Sequence, residues 1–167
     1  MTAQETFAVE ITRTFPMPVD HLYAAWTDAA VLRQWWGPTG FTCPVAETDV
    51  RAGGVSLVAM RAPAEFGAGD IHNTWTYTVV EPNQQLEFES RFATPDGVSI
   101  TPAEAGIPGA VPEVVPHVLI FTRLDENQSQ LSVTEYGYPD TETRDMSRAG
   151  MDQCLDKLAA VLASPTP

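Results

Sequence analysis

The stretch DTETRDMSRAGMDQCLDKLAAVLA (140–163) decides the fold. At 100° per residue, Met151, Cys154, Leu155, Leu158, Val161 and Leu162 fall on one stripe, with Asp145, Asp152, Gln153 and Asp156 opposite. Asp140 or Thr141 supplies an N-cap after Pro139, and Pro165 stands beyond the end. The spacing predicts a helix of over twenty residues, roughly 35 Å long. A domain of 167 residues has a radius of gyration of about 15 Å, so this helix runs nearly its full width. Strands that share a core with it must curl around it.

Ahead of the helix the chain is mostly β. Phe7–Phe15 alternates, with Phe7, Val9, Ile11 and Arg13 on one side and Ala8, Glu10 and Thr12 on the other. Pro16 and Pro18 stop it, and Pro18 suits a helix's first turn. Val19, Leu22, Tyr23 and Trp26 then recur at helical spacing. Asp28 caps a second short helix carrying Val31, Leu32 and Trp35, which Gly37-Pro38 ends. Turn residues at Gly53-Gly54, Pro82-Asn83 and Asp125 to Gln128 divide the rest into strands near 41–50, 54–61, 71–81, 84–93, 115–124 and 130–138. Trp75, Tyr77 and Val79 alternate with Thr74, Thr76 and Thr78, which makes one sheet face buried and the other wet. The expected architecture is α+β: a curved antiparallel sheet of six or seven strands around a long C-terminal helix, with two short helices after the first strand. Residues 1–167 are expected to form one domain.

Between the fifth and sixth strands, 94–114 carries Pro95, Gly97, Pro102, Gly106, Pro108, Gly109 and Pro112. A loop this long inside a compact domain is a lid, a binding loop or a mobile insertion.

With 44% hydrophobic and 19% charged residues, the chain is too apolar for disorder. The 22 acidic residues outnumber the 9 basic ones and give a net charge of −13. Such a surface repels phosphate backbones and anionic lipid headgroups, which sets nucleic-acid and membrane binding aside. Cys43 and Cys154 form no Cys-x-x-Cys pair, and His72 with Asp70 has no third ligand nearby. No metal and no cofactor is expected, and reduced thiols suit a cytoplasmic location. MTAQETFAVE at the start has neither a basic region nor an apolar core, so no export signal is visible, and no apolar run is long enough to span a bilayer.

The order strand, two short helices, six strands, long helix resembles the START-like, helix-grip superfamily. AAWTDAAVLRQWWGPTGF (24–41) is similar to the signature of the activator of Hsp90 ATPase homologue-like family, as are RAGG (51–54), TVVEPNQQLEFES (78–90) and AGMDQCLDKLAAVL (149–162). The likeness spans nearly the whole chain. It departs at Met151, where a Trp is expected, and the change alters the shape of any pocket beside it. In the eukaryotic activators this fold is one of two domains, so the resemblance implies the fold more than it implies chaperone activation.

A long helix gripped by a curled sheet packs tightly along one part of its length and leaves room elsewhere. Gly150, at the edge of the apolar stripe, places that room. The residues expected to bound a cavity there are Trp75 and Tyr77 on one strand, Phe88 and Phe92 on the next, and Met151 and Leu155 on the helix. Trp35 and Trp36 point about 100° apart, so only one faces the core; Trp35 is assigned to the cavity mouth. His117, at the start of its strand beside the long loop, is placed at the rim. Arg144 and Ser147, one to two turns before Met151 on the same stripe, are expected at the open end, with Arg144 orienting any anionic group. Glu135 shares a face with Leu131 and Val133, and if buried needs a partner, Arg123 or Arg91, or a raised pKa.

No nucleophile elbow, phosphate loop or Ser/His/Asp spacing is present, so no catalytic residue is named and the balance leans away from an enzyme. The expected function is a binding module for a small apolar molecule held between sheet and helix. The resemblance implies an alternative, a chaperone-interacting domain, and more remotely a cyclase- or hydrolase-like enzyme. Monomer and homodimer both stay open.

Overall fold

The computed structural model describes residues 5–66 and 69–163; Pro165 and the first four residues of MTAQETFAVE lie outside them. The elements are β1 (Phe7–Phe15), α1 (Val19–Thr27), α2 (Ala29–Trp35), β2 (Thr42–Glu47), β3 (Val55–Arg61), β4 (Asp70–Glu81), β5 (Gln85–Ala93), β6 (Val115–Asp125), β7 (Gln128–Tyr138) and α3 (Thr141–Ala163). The strands form one antiparallel sheet in the order β1-β7-β6-β5-β4-β3-β2. β2 to β7 is therefore a meander, and β1 returns to the far edge beside β7. This is the curved sheet and long helix that the periodicities predict.

Local signals fix the helix ends. Asp28 Oδ1 accepts hydrogen bonds from the amides of Ala30 (2.8 Å) and Val31 (3.4 Å) at the start of α2. Asp140 Oδ1 accepts from Thr143 N at 2.6 Å, so Asp140, not Thr141, caps α3. Burial pattern and phase agree along α3: Met151, Cys154, Leu155 and Leu158 are buried, and Val161 and Leu162 pack on the core's margin. On its flank Arg13 of β1 reaches Asp156 at 2.7 Å and Asp152 at 3.3 Å. Lys157 Nζ donates to the carbonyls of Phe41 (2.8 Å), Gly37 (3.0 Å) and Pro38 (3.4 Å), fastening the helix to the turn between α2 and β2.

The simple alternation expected for β4 breaks at one point. Its register with β5 shifts between Tyr77 and Val79, so Val80, not Val79, packs against the core. A bulge adds one residue to one strand, which flips the following side chains and bends the strand. On the other face, Thr74 is buried as well as Trp75.

The stretch 94–114 is irregular but tied down at both ends of its first half. Ser99 bridges Ala93, Ile100 N donates to the Phe92 carbonyl at 2.9 Å, and Thr101 and Glu104 cap one another reciprocally. No helix among the described residues is long and apolar enough to cross a membrane.

Leu155 and Leu158 are fully buried where α3 packs most tightly. Replacing either by Ala should destabilise the protein by about 2–5 kcal/mol, measured by urea denaturation. An unchanged midpoint would mean that this face of the helix is not in the core.

Candidate functional site

The core aromatics are stacked in a chain across the sheet. α2 ends at Trp35 and Trp36 turns extended (φ −61°, ψ 134°), so both adjacent indoles, not one, are buried in the core, where they meet edge-on at 5.5 Å. Trp35 is fully buried, donates Nε1–H to the Ala25 carbonyl at 2.9 Å and packs edge-on against Trp26. Trp36 also packs edge-on against Trp26, at 5.9 Å, and meets Trp75 edge-on at 4.9 Å. Trp75 stacks on Phe88 at 4.7 Å, and the other face of Phe88 carries the His117 ring at 4.7 Å.

Between this chain of rings and α3 lies a pocket of about 350 Å³. Its walls include Trp36, Trp75, Phe92 and His117 from one side and Ser147, Gly150 and Met151 from α3. A Cβ built on Gly150 meets nothing within 4 Å, so the missing side chain leaves open space. Ile107, Pro108, Val111 and Pro112 of the long loop close over the pocket.

Of the residues singled out from the sequence, Trp75, Phe92, His117, Ser147 and Met151 thus meet around one space, and five do not. Trp35 is replaced in the wall by Trp36, because the helix ends between them. Tyr77 lies behind the wall, its hydroxyl 2.7 Å from Ser56 Oγ. Phe88 supports the wall from behind, sandwiched between Trp75 and His117. Leu155, one turn beyond Met151, sits in the tightly packed part of the helix. Arg144 reaches away, to Asp145 Oδ1 at 2.5 Å and the Ala8 carbonyl at 3.5 Å, with its guanidinium 6.0 Å from the Phe7 ring centre. The pocket walls hold no Lys or Arg to meet an anionic group.

Glu135 is the residue whose surroundings sequence reasoning missed. It is buried, as its strand face predicts, but neither Arg123 nor Arg91 is its partner: Arg91 reaches Glu89 at 3.7 Å, and Arg123 is exposed. Glu135 Oε1 instead lies 3.1 Å from His117 Nε2 and accepts the Tyr138 hydroxyl at 3.1 Å. His117 Nδ1 is 2.9 Å from the Val115 carbonyl. That oxygen only accepts, so Nδ1 carries a proton. The contact between Nε2 and Oε1 therefore needs a second proton between them, as an imidazolium–carboxylate pair or an imidazole–carboxylic acid pair. In either form the pair is neutral as a whole. Burial pushes the Tyr138 phenol well up, the charge of Glu135 adds to this, and the Ser147 hydroxyl acts in the opposite sense.

Among the described residues, three buried side-chain polar atoms have no hydrogen-bond partner: Nε1 of Trp26, Nε1 of Trp36 and Oε2 of Glu135. Trp36 and Glu135 are also residues of the pocket wall. No three His, Cys, Asp or Glu side chains gather among the described residues to hold a metal ion.

The profile of the family described as activator of Hsp90 ATPase homolog 1-like protein matches residues 16–163. The chain belongs to that family. Solved structures similar to this family member come from Chromobacterium violaceum (24% identity, TM-score 0.73, covering 95% of this chain and 98% of that one) and Arthrobacter aurescens (22%, 0.75, 95% and 87%). A third, titled as an AHSA1 protein, comes from Silicibacter pomeroyi (23%, 0.73, 94% and 98%). At these identities the likeness concerns the fold. No curated protein matches the chain.

Burial raises the Tyr77 phenol from 10.0 to about 12 and the Cys154 thiol from 9.0 to about 12. Both groups stay neutral in the fold longer than in the unfolded chain. Their contribution to stability is therefore complete below pH 9.0 and is lost as the pH climbs toward about 12. The loss approaches roughly 1.4 kcal/mol per pH unit for each group. Denaturation midpoints measured upward from pH 9.0 should fall, and Cys154→Ala should fall less steeply than the wild type.

Proposed function

We propose that the protein binds a small, largely apolar molecule in the pocket between its sheet and α3, with Trp36, Trp75, Phe92, His117, Ser147 and Met151 as the contacting side chains. The observation that carries this reading is the pocket of about 350 Å³ between the sheet and α3, beside the open space at Gly150. Its volume lies at the small end of the range for ligand sites, and such sites are apolar with a few placed polar groups. The loop residues Ile107, Pro108, Val111 and Pro112 give it an apolar cover. Each Å² of ligand surface buried there contributes about 25 cal/mol.

The family's description supports a second reading, an accessory protein for the chaperone Hsp90. The two differ in outcome: an accessory protein changes the chaperone's ATPase rate at stoichiometric ratio, and a small-molecule binder leaves it alone. Under the ligand reading the rate is unchanged.

Titration with uncharged aromatic compounds, followed by tryptophan fluorescence and calorimetry, should reveal binding tighter than about 1 mM. Gly150→Leu places a side chain in the open space and removes a glycine from a helix interior, which costs about 1 kcal/mol relative to Ala. This variant should melt no lower than the wild type and bind at least tenfold more weakly. Met151→Trp should weaken binding in the same way. Replacing 101–114 by a short turn should leave the fold standing, since closure entropy changes slowly with loop length, and should also abolish binding. Absence of binding by every aromatic compound tested would sink the reading.

A further inference from the structure

We infer that the polar end of the ligand is a neutral hydroxyl, an alcohol or a phenol, received by Glu135 Oε2. The inference rests on the pocket-binding reading above and reverses the charge preference that Arg144 suggested from the sequence.

The unpaired oxygen is an acceptor whichever way the proton is shared. In the imidazolium–carboxylate form, Oε1 takes the His117 and Tyr138 hydrogens and Oε2 is a bare carboxylate oxygen. In the imidazole–acid form, the acid proton sits on Oε1 facing Nε2, and Oε2 is a carbonyl-type oxygen. With the pair neutral as a whole, a proton on Oε2 would leave Nε2 and Oε1 facing each other at 3.1 Å with lone pairs only. A buried acceptor without a donor is costly, and Oε2 has no donor among the described residues. A ligand O–H or N–H removes that cost. The last torsion of a glutamate is soft, so Oε2 leans toward a donor with Oε1 still held.

Two further observations narrow the donor. The His117–Glu135 pair is neutral as a whole and the pocket walls hold no other charge. An ammonium would therefore lose its water without gaining a counter-charge, and a carboxylate would in addition face an acceptor. The other unpaired atom of the wall, Trp36 Nε1, is a donor. The wall thus asks for one donor and one acceptor. A hydroxyl offers both; a carboxylate only accepts and an ammonium only donates.

The test uses 2-naphthol, 2-methoxynaphthalene, 2-naphthylmethylamine and 2-naphthoate on the full chain, with affinities from calorimetry or equilibrium dialysis. The naphthol should bind roughly tenfold or more tightly than the methyl ether, and more tightly than the amine and the carboxylate. In Glu135→Met the ratio of naphthol to ether should fall toward one, with the ether retained. The ratio within the wild type keeps the inference testable should that variant not fold. If the ether binds as well as the naphthol, or the amine or carboxylate binds best, the Glu135 inference is overturned while the pocket reading stands. If none of the four binds, the pocket reading itself is lost.

Discussion

The apolar face of α3 has to be covered along 23 residues, and a flat sheet cannot do it. Everything else in the molecule follows from bending seven strands around that one cylinder. The register shifts in β2, β4, β6 and β7 mark where extra residues enter the ladder, and each adds bend and twist. The cover is tightest at Leu155 and Leu158, where the ion pairs of Arg13 and the clamp of Lys157 hold the helix on both flanks. Nearer its start the helix is held by fewer neighbours. There Gly150 contributes no side chain, and the pocket occupies the difference.

The same bending explains which parts of the molecule were legible in the sequence. Periodicity, the caps at Asp28 and Asp140, and the turn residues are local, so strands, helices and the buried stripe of α3 came out within a few residues of their positions. The polar cluster was hidden by one bulge. Counting back along the hairpin from Asp125 opposite Gln128 places His117 across from Tyr136. The register shift between Arg123 and Asp125 moves it opposite Glu135. An exposed Leu124 at the shift is the only trace in composition, and nothing in a single sequence announces a bulge there. That Trp36 and not Trp35 lines the pocket has a related reason: it hangs on whether α2 stops after one residue or the other.

The pocket's chemistry depends on how few polar groups it holds. His117, Glu135 and Tyr138 satisfy one another through a single oxygen, Glu135 Oε1, and Phe88 fixes the imidazole by stacking against it. Because the Val115 carbonyl holds Nδ1, the imidazole cannot turn over to offer its other nitrogen without breaking that bond. A carboxylate that might have accepted from any direction is thereby left with one oxygen to spare. Sequence reasoning had placed a cation, Arg144, at the polar end. The structure sends that cation toward β1 instead, where it serves the sheet's edge.

The sheet order has a consequence for how the chain is made. β1 leaves the ribosome before the other six strands of its sheet, and its partner is β7: Phe15 pairs with Ser129 and Phe7 with Tyr138. Synthesis at about 5–20 residues per second leaves β1 without its neighbour for roughly ten seconds. The hairpins from β2 to β6 can form meanwhile, but the sheet lacks both β7 and β1. Its β6 edge is bare, and Val9, Ile11 and Phe15, all buried in the finished protein, have nothing to cover them. The nascent chain is most vulnerable to pairing with a stranger in that interval, and the closing step joins its two most distant strands.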